Sequence, residues 1–274
     1  MAVPLAMLVF KEHRVRNLMA AVMTTEEMLM TTVAEITRYC DELLDAHSFD
    51  DYCPNGLQVE ASDEVTKIVS GVTASAELID VAIEQKAQLL LVHHGYFWRG
   101  EPQPLTGMKG QRIAKLIKNG ISLLAYHLPL DAHTSLGNNA GLGKALGFQG
   151  SPIDTKSLIW IAESNIELDQ LTTQVQQATD REPLVIGENR PMKQIAWCTG
   201  AAQGQIHKAQ AAGADVYISG EISESTVHAA REMGIAYIAA GHHATERYGA
   251  RSLGEHLAGQ FGLEHRFVDI PNPV

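Results

Sequence analysis

Two apolar periods alternate along this chain, and the alternation lays out its elements. Thr24-Thr25-Glu26-Glu27 sets a hydroxyl side chain ahead of acids in the manner of a helix cap, and Ile36, Tyr39, Cys40, Leu43 and Leu44 then recur at helical spacing. A helix is predicted over about 25–45. Short apolar runs bounded by turn residues predict strands at 67–72, 88–92, 121–126, 158–162, 195–198, 216–219, 235–240 and 266–270, with a helix at 75–87 and helical stretches between most of the others. Such alternation implies an α/β protein with a mixed, largely parallel sheet arrangement.

Laid on itself, the chain repeats. Residues 68–94 align without a gap on residues 195–221, and both segments read strand, small-residue turn, helix, strand. A further helix and strand follow in each copy, ending at Tyr126-His127 and at Gly241-His242. Identities are few, and two ordinary strand–helix–strand units can look this alike. As a true repeat it predicts two pseudo-symmetric α/β lobes, 25–148 and 149–274, behind an extension at 1–24, with the site between them. Ligands of open α/β sheets lie beyond the carboxyl ends of strands, and His93-His94, His127 and His242 all fall at such ends.

Composition narrows the partners. The 21 basic against 32 acidic residues leave a net charge of −11, unsuited to nucleic-acid backbones or anionic membranes. The three cysteines, Cys40, Cys53 and Cys198, form no CxxC, so neither a disulfide framework nor a thiolate zinc site is expected. No apolar run reaches the roughly 18 residues of a membrane span. The opening residues place apolar before basic side chains, the reverse of a secretory signal, so a cytoplasmic protein with a dispensable leading extension is expected.

The chemistry concentrates at the strand ends. Adjacent strand residues point to opposite faces, so His93 and His94 bind one metal only if the chain bends there and otherwise serve two ions, while Gly95 relaxes the turn. His127-Leu128-Pro129-Leu130-Asp131 offers an imidazole and a carboxylate to one cavity, although Asp131 reads equally well as a cap. His242 and Glu246 share a face if a helix begins at Gly241, either as ligands or as a surface pair. Nitrogen and oxygen donors without thiolates suit Zn, Fe, Mn or Ni. Glu221 takes the place of His94 in the second copy and His228 follows it; a solvated acid and a surface histidine are the plain readings. Arg99, Lys109, Arg112, Lys115 and Lys118 form either a phosphate rim or the wet face of a helix whose Ile113, Leu116 and Ile117 point inward. No Walker loop or dinucleotide fingerprint is present.

Five motifs taken together, Asn55-Gly56-Leu57-Gln58-Val59-Glu60, Val92-His93-His94-Gly95, His127 to Asp131 with Gly137-Asn138-Asn139, Gly241-His242-His243-Ala244-Thr245-Glu246, and Asp269-Ile270-Pro271-Asn272-Pro273, resemble the YbgI-like family, commonly labelled GTP cyclohydrolase I type 2 homologues. The match runs from about Thr31 to Val274, leaving the leading segment outside it. The resemblance implies a homohexameric ring with a dinuclear metal centre in each subunit. It carries the ligand roles to His93, His94, Asp131, His242 and Glu246, and a neighbouring site role to His127. Many relatives have an aromatic residue where this chain has His243, which is therefore not counted as a ligand.

The expectation is thus a protein holding two divalent ions and hydrolysing a small molecule, whether nucleotide, cyclic amide or phosphoester. Glu246 would bridge and His127 would move a proton. Metal delivery, or a ring-shaped scaffold without turnover, is the rival from another class.

Overall fold

The structure is a computed structural model that describes residues 30–155 and 157–274. The proposed extension at 1–24 and the predicted helix start at Thr25 lie outside the described residues. Helix α1 spans Val33–Leu43 and starts later than its periodicity suggests. Thr32 and Glu35 form a reciprocal capping box there, while Thr31 and Val33 pair through their backbones with Val65 and Asp63. That extended pairing holds the chain out of helical geometry until Val33.

Thereafter come β1 (Gly56–Val59), β2 (Lys67–Thr73), α2 (Ala76–Glu84), β3 (Leu89–His94), α3 (Gly107–Lys118), β4 (Ser122–Ala125), α4 (Leu128–Ala132) and α5 (Asn138–Ala145). The second half runs β5 (Ser151–Pro152), β6 (Trp160–Glu167), α6 (Leu168–Thr179), β7 (Leu184–Ile186), β8 (Pro191–Cys198), α7 (Ile206–Ala211), β9 (Val216–Ser219), α8 (Glu224–Met233), β10 (Ala236–Ala239), α9 (His242–Thr245), α10 (Arg247–Phe261) and β11 (Glu264–Phe267). Two sheets result, ordered β1-β4-β3-β2-β11 and β5-β6-β8-β9-β10-β7. Their central strands are parallel; β11 joins the first sheet parallel, while β1 there and β5, β6 and β7 in the second pair antiparallel. This is the α/β arrangement in two lobes that the alternation implied.

The sheets do not divide the chain at one point, because β11 returns from the second half to pair with β2 of the first sheet. Its apolar content is too slight for periodicity to reveal that destination. Strands β1, β5 and β7 have no counterpart in the predicted set; all three are short and at least partly exposed.

Each sheet is buried on both faces, which explains its continuous apolar runs. In the first, Val69, Leu90 and Val92 pack on Leu78 and Ile113 of α2 and α3, while Ile68, Leu89 and Leu91 pack on Ile36 and Leu253 of α1 and α10. In the second, Ile195, Trp197 and Ile218 face Leu171 and Val175 of α6, whereas Tyr217 and Tyr237 face Ile206 and Ala230 of α7 and α8. Packing thus clamps the carboxyl ends of β3, β4, β8 and β9 between helix layers, and those ends converge.

The basic stretch belongs to α3 and its approach, where Lys109 pairs with Glu101, Lys115 with Asp80, and Arg99 with Asp50. Ile113 and Leu116 are buried as expected, but Ile117 is 54% exposed, since it turns past the edge of the apolar stripe.

Candidate metal centre

The end of β3 aims its two histidines at a common carboxylate. His93 is fully buried, and its Nε2 lies 3.5 Å from both Asp131 Oδ1 and Glu246 Oε1. His94 Nε2 lies 3.2 Å from Glu246 Oε2, and His242 Nε2 lies 3.1 Å from the same oxygen. The donors gather as the groups His93–Asp131–Glu246 and His94–His242–Glu246, with ligand atoms within 4.8 Å of one another. His93, His94 and His127 form a third such group, and Asp51, Cys53 and His127 a fourth. All five residues proposed as ligands, and His127 beside them, meet in one place.

Each histidine is oriented by an oxygen on its other ring nitrogen. His93 Nδ1 donates to the Tyr126 carbonyl at 2.9 Å, and His94 Nδ1 meets Thr73 Oγ1 at 3.2 Å. His127 Nδ1 meets Asp51 Oδ1 at 2.6 Å, and His242 Nδ1 meets Glu221 Oε1 at 2.7 Å. Such partners fix the tautomer that leaves Nε2 as the ligating atom. Asp131 does not cap α4: its Oδ1 accepts from Asn138 at 2.8 Å and from Thr199 at 3.2 Å. Sequence reading missed the parts of Thr73, the last residue of β2, and of Asp51 and Thr199, which lie in irregular segments, and gave Glu221 no definite task. His243 turns away to Asp269, and His228 stays exposed on α8.

Two glycines make room for the cluster. Gly200, at φ +68°, follows β8, and a Cβ there would stand 2.0 Å from Glu246 Oε1. Gly95 serves differently from expected: its φ is not positive, and a Cβ would stand 2.2 Å from Gln58 Oε1 and 2.7 Å from Ala125 Cβ. It is required for close approach to β1 and β4 and not for a strained turn.

The sequence model of the Duf34/NIF3 (NGG1p interacting factor 3) family matches residues 31–273. The chain belongs to that family. A Pseudomonas aeruginosa relative, called GTP cyclohydrolase 1 type 2 homolog, is 52% identical over 253 residues, spanning 90% of this chain and 98% of its own. Among solved structures, protein ybgI is 43% identical with a TM-score of 0.86, over 89% of this chain and 100% of that one. TTHA1606 from Thermus thermophilus is 34% identical with a TM-score of 0.83, at the same coverage. The resemblance drawn from the five motifs is thereby borne out.

The electrostatics of the Duf34/NIF3 site suit a cation. Burial pulls the pKa of His93 down, but the carboxylates of Asp131 and Glu246 outweigh it and raise it to about 9. His242 is likewise brought to about 9 against its burial, by Glu246 and Glu221. His94 falls to about 3, chiefly through burial, with the surrounding imidazoles adding to the effect. Burial raises Asp131, whereas His93 and His94 hold Glu246 well below the usual carboxylate range despite its burial. Two carboxylates this deep need positive charge beside them, and protons on His93 and His242 provide it. A divalent cation can take the place of those protons. His93 Nε2 and Glu246 Oε2 are buried atoms without a hydrogen-bond partner, an arrangement that costs stability unless something binds them. The donor set therefore fits metal ions.

The cluster lines a cavity of about 680 Å³ together with Tyr52 and Trp98 from the first half of the chain and Leu158, Ile159 and Ala202 from the second. None of Lys109, Arg112, Lys115 or Lys118 lines it. Among the described residues no helix is long and apolar enough to cross a membrane.

Proposed function

We propose that this Duf34/NIF3 protein holds two divalent cations and hydrolyses a small molecule. The observation that carries this reading is the placement of Glu246, whose Oε1 faces His93 and whose Oε2 faces His94 and His242. His93 and Asp131 would hold one ion, His94 and His242 the other, and Glu246 would bridge them. When bound, such a pair supplies Lewis acidity and lowers the pKa of water towards neutrality. The identity of the ions is open among Zn, Fe, Mn and Ni.

The chain's own groups supply the rest. His127 lines the cavity with Nδ1 tied to Asp51, which leaves Nε2 to pass a proton to a leaving group. Asn55 steadies that pair, donating to Asp51 Oδ2 at 2.9 Å and accepting from the His127 backbone at 2.7 Å. A cavity of about 680 Å³ lies within the ordinary range for small-molecule sites. Nucleotides, cyclic amides and phosphoesters are the substrate classes to screen, the first two prompted also by the name of the Pseudomonas aeruginosa relative.

The test is elemental analysis of the purified protein, then a hydrolysis screen of those three classes with metal-free protein as control. Metal-dependent turnover supports the reading, whereas stable metal without turnover would favour a carrier. The protein would work as a homohexameric ring. Exposed Leu105, Met108 and Ile117 on and beside α3, and Leu184 on edge strand β7, supply apolar surface for contacts between copies. A monomeric mass by light scattering would refute assembly.

A further inference from the structure

The two walls of the cavity differ in chemistry, and the difference defines a ligand. On the first-lobe side stand two aromatic rings. Trp98 lies edge-on to His127, with centroids 5.0 Å apart at 83°, and 5.9 Å from the His94 ring; Tyr52, 58% exposed, stands at the mouth. The second-lobe side is aliphatic, built by Leu158, Ile159 and Ala202. An indole and aliphatic side chains lining one cavity suit a planar ring, which gains dispersion against both.

Charge is divided as sharply. The floor is made of histidines and carboxylates, while the lining contains a single lysine, Lys208, on α7. Among the described residues Lys208 has no ion pair and no side-chain hydrogen bond, and it is exposed. In a chain of net charge −11, Lys208 places an unpartnered ammonium on the wall of the site. It offers point-charge recognition to an anion.

We infer that the cavity binds a planar ring compound bearing an anionic group, with the ring against Trp98, the anion at Lys208 and the reacting bond over the histidine floor. The anion can be phosphate or carboxylate, since an ammonium recognises both. The inference rests on the proposed site for its floor, yet binding can be read without turnover.

The experiment uses the full-length protein with the metal it carries on purification, and calorimetry with matched probes. Inosine 5′-monophosphate is compared with inosine and with ribose 5-phosphate, and indole-3-propionate with indole-3-propanamide. The ring-plus-anion probe of at least one set should bind roughly tenfold or more tighter than its partners. Lys208→Gln should abolish the advantage over the neutral ring while leaving the neutral ring's own affinity unchanged. Trp98→Ala should abolish the advantage over ribose 5-phosphate. A stronger response to the monophosphate names phosphate as the anion, and the reverse names carboxylate.

Equal binding within both sets, or no binding up to about 10 mM of any probe, overturns the inference. So does a preference that survives both substitutions. If the ranking holds but no metal or turnover is found, the hydrolase reading falls and this one stands. If saturated substrates are turned over in a metal-dependent way without the ranking, the hydrolase reading stands and this one falls.

Discussion

The two lobes repeat the same strand frame but spend its ends differently. Ile68 sits opposite Leu89, and Leu89 opposite Ser122; in the second sheet Ile195 sits opposite Val216, and Val216 opposite Ala236. That is the register of the sequence repeat, so the alignment of 68–94 on 195–221 describes real equivalence. Yet the middle strand ends in His93-His94 in the first copy and Gly220-Glu221 in the second. The first lobe presents imidazoles directly. The second uses Glu221 to orient His242 and brings its donors in from α9 and the residue after it. Even the neighbouring strand follows this division: Thr73 supports His94, while its equivalent, Gly200, has to be bare because Glu246 occupies that space. A repeated frame thus fixes where a site lies, and the departures from symmetry decide what it binds.

The comparison breaks most severely at Gly200. Gly200→Thr, which installs the first lobe's residue in the second, is expected to displace Glu246 and add backbone strain of about 1–2 kcal/mol. Elemental analysis should find both ions lost and calorimetry a markedly lower Tm, whereas Thr73→Gly should retain metal. Comparable metal content in the two variants would show the lobes to be interchangeable there.

Next in size is Glu246→Gln, which keeps the shape and removes the charge shared by the two donor groups. At least one ion should be lost while the circular dichroism spectrum persists. Full occupancy of both ions would contradict bridging.

Glu221→Gln probes the second lobe's indirect contribution. Losing the carboxylate behind His242 should weaken metal affinity about 10–100-fold, as such orienting partners do elsewhere. Competition with a chelator measures it, and an unchanged affinity would leave Glu221 as a solvated acid.

The smallest effect concerns pH and two more equivalent positions. Asp215 Oδ2 accepts from the backbones of Lys193 and Gln194 at 2.8 and 3.0 Å, and Gln88 Oε1 accepts from Thr66 and Lys67 at 3.1 and 3.0 Å. One device is charged and the other neutral. Burial works to raise the Asp215 pKa, but those N–H groups and Arg190 lower it below 3.8. A lowered folded-state pKa means the stabilisation is complete above the unfolded value and is lost as pH falls through the folded one. Asp215→Asn should therefore cost about 1 kcal/mol at neutral pH and progressively less as pH falls below the unfolded carboxylate value of about 4. Urea melts across that range measure it, and Gln88→Ala should show no such acid dependence.

Much of this was legible in the sequence for identifiable reasons. Strand β9 matches its predicted range residue for residue, because burial on both faces keeps Val216, Tyr217 and Ile218 in one unbroken run. The cluster of candidate donors was legible because His93-His94, His127 and His242 stand at strand ends, where parallel topology gathers side chains. What escaped depended on contacts distant along the chain. Asp51 reaches His127 across 76 residues, and Thr199 reaches Asp131 across 68, through turns with no periodic signature. Asp131 was ambiguous because an isolated loop aspartate looks the same whether it caps a helix or is held by Asn138.

The return of β11 to the first sheet also sets a timetable. Ser70 on β2 and His265 on β11 are hydrogen-bonded partners separated by 195 residues. At a synthesis rate of about 5–20 residues per second, β2 waits about 10–40 s on the ribosome for its neighbour. Throughout that interval one edge of the first sheet is open to pairing with other chains. A shorter delay, about 8–30 s at the same rate, separates His93 and His94 from Glu246, so the growing polypeptide carries two of the candidate donors well before that carboxylate exists. On the proposed reading, ion capture would be a late event in the life of each chain. Slowing translation after β4 should increase aggregation of the nascent protein more than slowing it before β2.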